Sequence, residues 1–237
     1  MTAADGPPRR VCLLTGAGGT LGRALTAAFA DRYDVAAVVR TPRPQPERDT
    51  PRELFTIRSD LEAPGATDRV VELALARFGS VDLLVNAAAY SVWSPLVGSR
   101  ALLDSLPRQL AVNLAVPVQL AAALAEASWR ERGAENRARN RNVVNVSSIA
   151  GVRLFPSGGR SVYAASKAAL NVVTAYLAEE FAEFGVRLNA LAPDSFPRRV
   201  PTETVCDAVL RLDESASTGT VVVVDAEGER VADILPG

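Results

Sequence analysis

The chain of 237 residues contains no histidine. That absence removes imidazole-based triads and the commonest transition-metal ligand, so proton chemistry has to run through tyrosine, lysine, carboxylate or water. No metal site is expected. Cysteine is nearly absent as well: Cys12 and Cys206 lie far apart, and Cys12 sits inside an apolar run. It reads as a small buried hydrophobe rather than half of a disulfide, which fits a reducing cytoplasm. Aromatics make up only 5% of the residues against 48% apolar, so the core is built from Ala, Val and Leu, and it is large enough to need neither metal nor disulfide. The net charge of −1 offers no general attraction to nucleic acid or to an anionic membrane. Long apolar runs are missing too. The stretch 110–129 is interrupted by Asn113, Gln119 and Glu126, and the short run after Arg9-Arg10 ends in glycines. Neither a membrane span nor a signal peptide is expected.

Lysine is the scarcest charged residue. Lys167 stands alone among 26 basic residues, four positions after Tyr163 in Tyr163-Ala164-Ala165-Ser166-Lys167. An ammonium is a compact charge whose pKa moves readily, whereas a guanidinium stays protonated. On a helix, the spacing of four puts Tyr163 and Lys167 on one face, within reach of one ligand. The arginines Arg130, Arg132, Arg137, Arg139 and Arg141 crowd together, and they read as a solvated turn between helix and strand rather than a binding patch.

Short β-type runs alternate with longer helical ones, the pattern of a parallel α/β sheet. The predicted strands are 10–14, 35–39, 54–57, 81–85, 142–146, 186–191 and 220–224, mostly continuous apolar runs suited to burial on both faces. The predicted helices are 21–30, 67–78, 106–128, 161–184 and 203–212, with Thr202 as N-cap of the last. No repeat or linker divides the chain, so a single domain spanning 1–237 is expected. Between the second and third strands, Pro42, Pro44, Pro46 and Pro51 exclude a regular helix and predict an extended crossover.

The first strand leads straight into Thr15-Gly16-Ala17-Gly18-Gly19-Thr20-Leu21-Gly22, and a helical pattern follows at once. Glycines at 16, 19 and 22 permit a tight turn and close approach of backbone to a phosphate. The helix N-terminus behind them offers free N–H groups and positive dipole charge to a pyrophosphate. With this motif the chain resembles the short-chain dehydrogenase/reductase superfamily over about residues 10–225. The glycine loop is residues 15–22, with Thr20 where the commoner form has glycine. Asp60-Leu61 resembles the pair that meets the adenine ring, and Asn86-Ala87-Ala88-Ala89 resembles Asn-Asn-Ala-Gly. Asn113, Ser148, Tyr163 and Lys167 align with the catalytic tetrad.

The resemblance implies a Rossmann-like doubly wound sheet of about seven strands in the order 3-2-1-4-5-6-7. It also implies a nicotinamide dinucleotide held by Gly16, Gly18, Gly19, Thr20, Leu21, Gly22, Asp60, Leu61, Asn86, Ala87, Ala88, Tyr163, Lys167 and Pro193. Asn113 would support a water-linked proton path to the lysine, and the long helices would pair between subunits in a homodimer or homotetramer. The alanines at 121, 122, 125, 164, 168 and 175 would permit their close approach.

The chemistry is legible in the residues themselves. A phenol with pKa near ~10 is a poor acid at neutral pH, and a neighbouring ammonium favours its phenolate. Lys167 would supply that field, Tyr163 would protonate a carbonyl oxygen as hydride arrives at carbon, and Ser148 would give a second hydrogen bond to that oxygen. Ser148 could instead cap the following turn, although its neighbour Ser147 suits a capping or packing role better. Arg40, at the end of the second strand, suits the 2′-phosphate of NADP(H), where a carboxylate would favour NAD(H). After Pro193 the resemblance weakens: Asp194 replaces a glycine, the threonine that contacts nicotinamide is missing, and the substrate lid is cut short. That leaves room for a bulky or carrier-borne substrate. The composition, rich in Ala and Arg, suits a GC-rich bacterial genome and a specialised biosynthetic pathway. The expected activity is NADPH-dependent reduction of a ketone or aldehyde. The alternatives are a non-redox enzyme using the same tetrad (dehydratase, epimerase or cyclase) and an NADP(H)-binding sensor without turnover.

Overall fold

A strand with no polar face must be covered on both sides, and the helix that follows each strand here supplies the cover. The computed structural model describes residues 9–41, 54–155 and 158–233; the proline-rich crossover expected over 42–52 lies outside them. Seven strands form one parallel sheet: β1 (Arg10–Thr15), β2 (Tyr33–Val39), β3 (Leu54–Arg58), β4 (Leu83–Asn86), β5 (Asn142–Val146), β6 (Arg187–Pro193) and β7 (Val221–Asp225). Their order is 3-2-1-4-5-6-7, as expected. An eighth strand, β8 (Gly228–Val231), turns back antiparallel on β7 and adds to the seven. Its residues Gly-Glu-Arg-Val are all exposed, so no apolar pattern marks them in the sequence. The hairpin is held instead by polar contacts: the Glu227 N–H donates to Asp225 Oδ1 at 3.0 Å, and Arg230 Nη2 to Asp225 Oδ2 at 2.7 Å.

Helices α1 (Thr20–Ala28) and α7 (Thr202–Glu214) cover one face of the sheet, burying Leu25, Phe29, Val205 and Val209 against Leu14, Val35 and Val85. On the other face α2 (Ala66–Phe78), α4 (Val116–Leu124) and α6 (Ser161–Ala182) bury Val70, Leu120, Leu124 and Phe181 against Leu13, Leu84 and Val143. The result is three layers around a central sheet. Pro201 takes the cap position of α7 with no side-chain cap bond, so Thr202 is the first helical residue rather than the N-cap.

The helix expected over 106–128 is longer. It starts with α3 (Ala101–Leu110), widens into a π turn at Ala111–Ala115, continues as α4 and ends in a second π turn at Ala125–Trp129. Pro117 has no N–H to give to the carbonyl of Asn113 four residues back, so the α-helical ladder is interrupted at this point. By length and composition the rod Ala101–Trp129 could cross a bilayer. In this fold it is a core helix, with Leu120, Leu124 and Trp129 fully buried. Ala121 and Ala125 are spent in the same core, so of the alanines with a possible role in subunit pairing only Ala122 on this rod is exposed.

The arginine cluster departs in part from its reading as a solvated turn: Arg130, Arg132 and Arg137 are exposed, but the other two are engaged. Residues 133–138 form α5 (Gly133–Ala138), and Arg141 is fully buried. Its Nη2 pairs with Glu135 Oε1 at 2.5 Å and its Nε with Asp82 Oδ1 at 3.4 Å. Asp82, also fully buried, takes Arg139 Nη2 at 2.5 Å and the Val11 N–H at 2.9 Å. Beside it a second buried carboxylate, Asp213, pairs with Arg10 and the Tyr33 hydroxyl. These knots sit at the N-terminal ends of the strands, away from the glycine turn. Asp82, which both Arg139 and Arg141 meet, is distant in sequence, which is why the local charge run is misleading at these two positions.

Candidate active site

Five strands deliver chemistry to one rim, because each parallel strand ends at the same edge of the sheet. β1 runs into the glycine turn, β2 ends beside Arg40, β4 leads into Ala87-Ala88, β5 ends before Ser147-Ser148, and β6 ends at Pro193. A cleft of about 460 Å³ lies along this rim, within the usual range for small-molecule sites.

The glycine turn is built for close approach. Gly16 has φ +68°, and a Cβ there would come within 2.7 Å of the Ala88 amide nitrogen. At Gly22 a Cβ would stand 2.2 Å from the Gly16 carbonyl oxygen. Both neighbours are backbone, so neither can yield cheaply. The first-turn amides of α1 have no intrahelical acceptor, and Thr20, Leu21 and Gly22 all face the cleft. These features fit a pyrophosphate. Asp60 and Leu61 line the same cleft, and so does Arg40, which is exposed and has neither an ion pair nor a side-chain hydrogen bond among the described residues.

Of the residues expected to meet a dinucleotide, Gly16, Gly18, Gly19, Thr20, Leu21, Gly22, Arg40, Asp60, Leu61, Ala87, Ala88, Tyr163 and Lys167 line the cleft. Asn86 and Pro193 are not part of its wall. The Asn86 side chain is buried and donates to Asn145 Oδ1 at 2.9 Å, and Asn145 in turn donates to Thr174 Oγ1 at 2.9 Å. This polar thread ties β4 to β5 and α6. Among the wall residues that the sequence reading missed are Tyr90 and Phe196, on connecting segments, and Val146, the last residue of β5. Arg108 lies 4.3 Å from the centre of the Tyr90 ring and is 2.8 Å from Glu62, joining α3 to the Asp60 loop.

Tyr163 and Lys167 rise from the first two turns of α6 and face the cleft together. Lys167 is 2% exposed, and its Nζ donates to the Val146 carbonyl at 2.7 Å. Burial lowers its pKa to about 8, because a charged ammonium loses hydration there. The Tyr163 phenol moves the other way. Burial pushes its pKa up, and a hydrogen bond with Ser148 pulls it partly back. The expected acidification by Lys167 is therefore not met in this state. The ammonium is 6.0 Å from the Tyr163 ring centre and is engaged with a carbonyl.

Ser148 does two jobs, since its Oγ also accepts the Ala150 N–H at 3.2 Å and caps the short turn after β5. Ser147, expected to cap or to pack, does not cap; it is buried and donates to the Lys167 carbonyl at 3.2 Å. Asn113 is fully buried in the first π turn. Its Nδ2 donates to the Tyr90 carbonyl at 2.8 Å and to Ser166 Oγ at 3.0 Å, while its Oδ1 accepts the Tyr90 N–H at 2.9 Å. Ser166 Oγ donates onward to the Tyr163 carbonyl at 2.7 Å. Asn113 thus braces the loop after β4 against the turn that carries Tyr163.

The sequence profile of short chain dehydrogenases matches residues 10–225. The chain belongs to that family. Its members are oxidoreductases that bind nicotinamide cofactors. An uncharacterized short-chain type dehydrogenase/reductase of Sinorhizobium fredii is 32% identical over 88% of this chain, but the match spans 36% of that protein's length. A 3-oxoacyl-[acyl-carrier-protein] reductase of Thermotoga maritima is 30% identical over 78% of this chain and 73% of its own. Among solved structures, a short chain dehydrogenase from Mycobacterium avium superposes with a TM-score of 0.82 at 25% identity, covering 96% of this chain and 86% of that one.

Against the family pattern, the connection from β6 to α7 is short. Residues 194–201 form a compact turn in place of a substrate lid. Asp194, largely buried, accepts the Ser195 N–H at 2.7 Å and faces Arg199 at 3.5 Å. Its carboxylate thus stiffens the turn that sets Phe196 into the cleft wall.

Proposed function

We propose that this short chain dehydrogenase is an NADPH-dependent reductase of a ketone or aldehyde on a small metabolite. The observation that carries the reading is that the glycine turn, Arg40, Tyr163 and Lys167 line one cleft. A bound nicotinamide would supply hydride to the carbonyl carbon. Tyr163 gives its phenolic proton to the carbonyl oxygen, and Ser148 donates a second hydrogen bond to that oxygen as charge builds on it. Lys167, one helical turn further along α6, restores the proton of the phenol. A carbonyl reductase among the relatives favours the reductive direction.

Turnover of a ketone panel followed by loss of nicotinamide absorbance tests the reading; cofactor binding without turnover of any ketone would overturn it. The choice of NADPH rests on Arg40, whose guanidinium has no partner among the described residues and suits a 2′-phosphate. Arg40→Asp is expected to weaken NADPH by roughly tenfold or more, the scale of a lost charge-assisted bond, and to leave NADH weakened far less. Equal affinities for both cofactors in the parent protein would refute that preference.

The lowered Lys167 pKa sets a pH dependence. Below about 8 the amine carries the proton that the reduction consumes, and above it the amine is neutral. The kcat/KM for reduction is expected to fall as pH rises through 8, and Lys167→Arg, slower overall, should lose that limb because a guanidinium does not titrate there. The same shift affects folding. The unfolded chain binds the proton more tightly, so this group's contribution to stability rises with pH between about 8 and 10.5.

In this reading the protein acts in the cytoplasm of a bacterium, in a specialised biosynthetic pathway, as a homodimer or homotetramer. The outward apolar residues Leu103 on α3 and Tyr176 on α6 support self-association of the long helices. The missing lid leaves room for a bulky substrate.

A further inference from the structure

Arg160 immediately precedes α6, three residues before Tyr163, and its guanidinium is stacked between aromatic rings. The guanidinium carbon lies 4.4 Å from the centre of the Trp93 ring and 5.7 Å from that of Phe155. The two loops that supply those rings are joined, since the Ser94 N–H donates to the Gly159 carbonyl at 3.0 Å. Gly159 packs so closely on the Ser94 backbone that a Cβ there would stand 3.1 Å from the Ser94 nitrogen. Phe155 is anchored from below by the small apolar cluster around Ile149, Ala190 and Val221. The guanidinium is therefore held between the two rings at the start of α6, one helical turn before Tyr163.

Arg160 has no side-chain hydrogen bond or ion pair among the described residues. Elsewhere this chain matches its well-ordered arginines to acids: Arg10 to Asp213, Arg139 and Arg141 to Asp82. A mere staple between two loops would stack equally well with its N–H groups bonded to the protein. Neither flanking segment offers an acidic partner. The sequence has no acidic residue between Asp82 and Asp104, nor between Glu135 and Glu179, and these segments contain both loops and the start of α6. Around the stack the surface is apolar and open, with Trp93 58% exposed, Leu96 56% and Leu154 94%. A planar fork with five donors, fixed over aromatic faces and with no counter-ion among the described residues, matches the geometry of a carboxylate.

We propose that Arg160, braced by Trp93 and Phe155, binds a carboxylate on the substrate, so that the compound processed at Tyr163 is an organic acid with a flat, apolar body. The inference rests on the reading of Tyr163 as the reaction centre. It narrows the substrate class beyond a carbonyl compound, and it disfavours a neutral substrate.

Benzoate and benzamide share shape and differ in charge, which makes them suitable probes. Calorimetric titration of the protein, with saturating nicotinamide cofactor, is expected to give benzoate at least about tenfold tighter binding than benzamide. Arg160→Gln should shrink that ratio to within threefold, while Arg160→Lys, which keeps the charge but loses the fork, should leave an intermediate ratio. Trp93→Leu, at an exposed position, removes the brace without touching the charge and should lower the ratio at least threefold. That variant decides the matter if the Arg160 variants do not fold. Equal binding of the two probes, or a preference that survives Arg160→Gln and Trp93→Leu alike, overturns the proposal. The two readings can fail separately. Ketone turnover without a carboxylate preference sinks the Arg160 assignment, and carboxylate preference without turnover of any keto acid sinks the reductase.

Discussion

Tyr163→Phe is expected to reduce carbonyl turnover by about a hundred- to ten-thousand-fold, the range associated with a placed proton donor. The ring would keep its packing, because only the hydroxyl is removed. The chain has no histidine that could take over, and the adjacent Ser148 hydroxyl is too weak an acid to replace a phenol. The glycine turn, Arg40 and the Lys167 ammonium remain, so the dissociation constant for NADPH should change by less than about threefold, within the spread of neutral surface substitutions. Absorbance assays and calorimetry on the same preparation separate the two effects. A variant that keeps more than a tenth of parental turnover would remove Tyr163 from the chemistry, whereas one that loses cofactor binding would show a disturbed site instead.

At the opposite end of the strands, Asp82→Ala should destabilise the fold by about 3–5 kcal/mol, as expected when one partner of a buried ion pair is removed. Asp82 holds Arg139, Arg141 and the Val11 N–H at once, and Arg141 has no exposed surface. Without the carboxylate, a buried guanidinium keeps only Glu135 and Asn136 as acceptors. Domains are stable by roughly 5–15 kcal/mol, so the loss is a large share of the total. Asp82→Asn, which keeps an acceptor oxygen, should lose less. Denaturant midpoints at constant slope measure both, and a loss below about 1 kcal/mol for the alanine variant would mean that water enters and solvates the arginines. Because this knot is remote from the glycine turn, cofactor affinity at low temperature should be little altered in either variant.

The two ends of the sheet also differ in how much of them could be read from sequence. Glycine spacing, the apolar strand runs and the Tyr163/Lys167 pair carry local signals, since each depends on neighbours within one turn or one strand. Arg139 and Arg141 carry none, because their partner Asp82 is more than fifty residues away and charge in a sequence reads as solvent contact. β8 is hidden for a related reason: a strand wholly exposed at an edge has no apolar periodicity to display. Phe196 and Tyr90 lie on irregular segments, where only the closed fold determines what faces the cleft. The direction of the Tyr163 shift was also beyond reach. Sequence spacing indicates that an ammonium is nearby, but not that the Val146 carbonyl has claimed it or that burial outweighs it.

The eight-residue connection after Pro193 affects timing as well as space. An enzyme whose covering segment must swing open waits on that motion before it can release what it has made. Here Asp194 stiffens a short turn that has little left to swing, so for the proposed reduction the bond-making step, rather than the escape of product, is expected to set the pace.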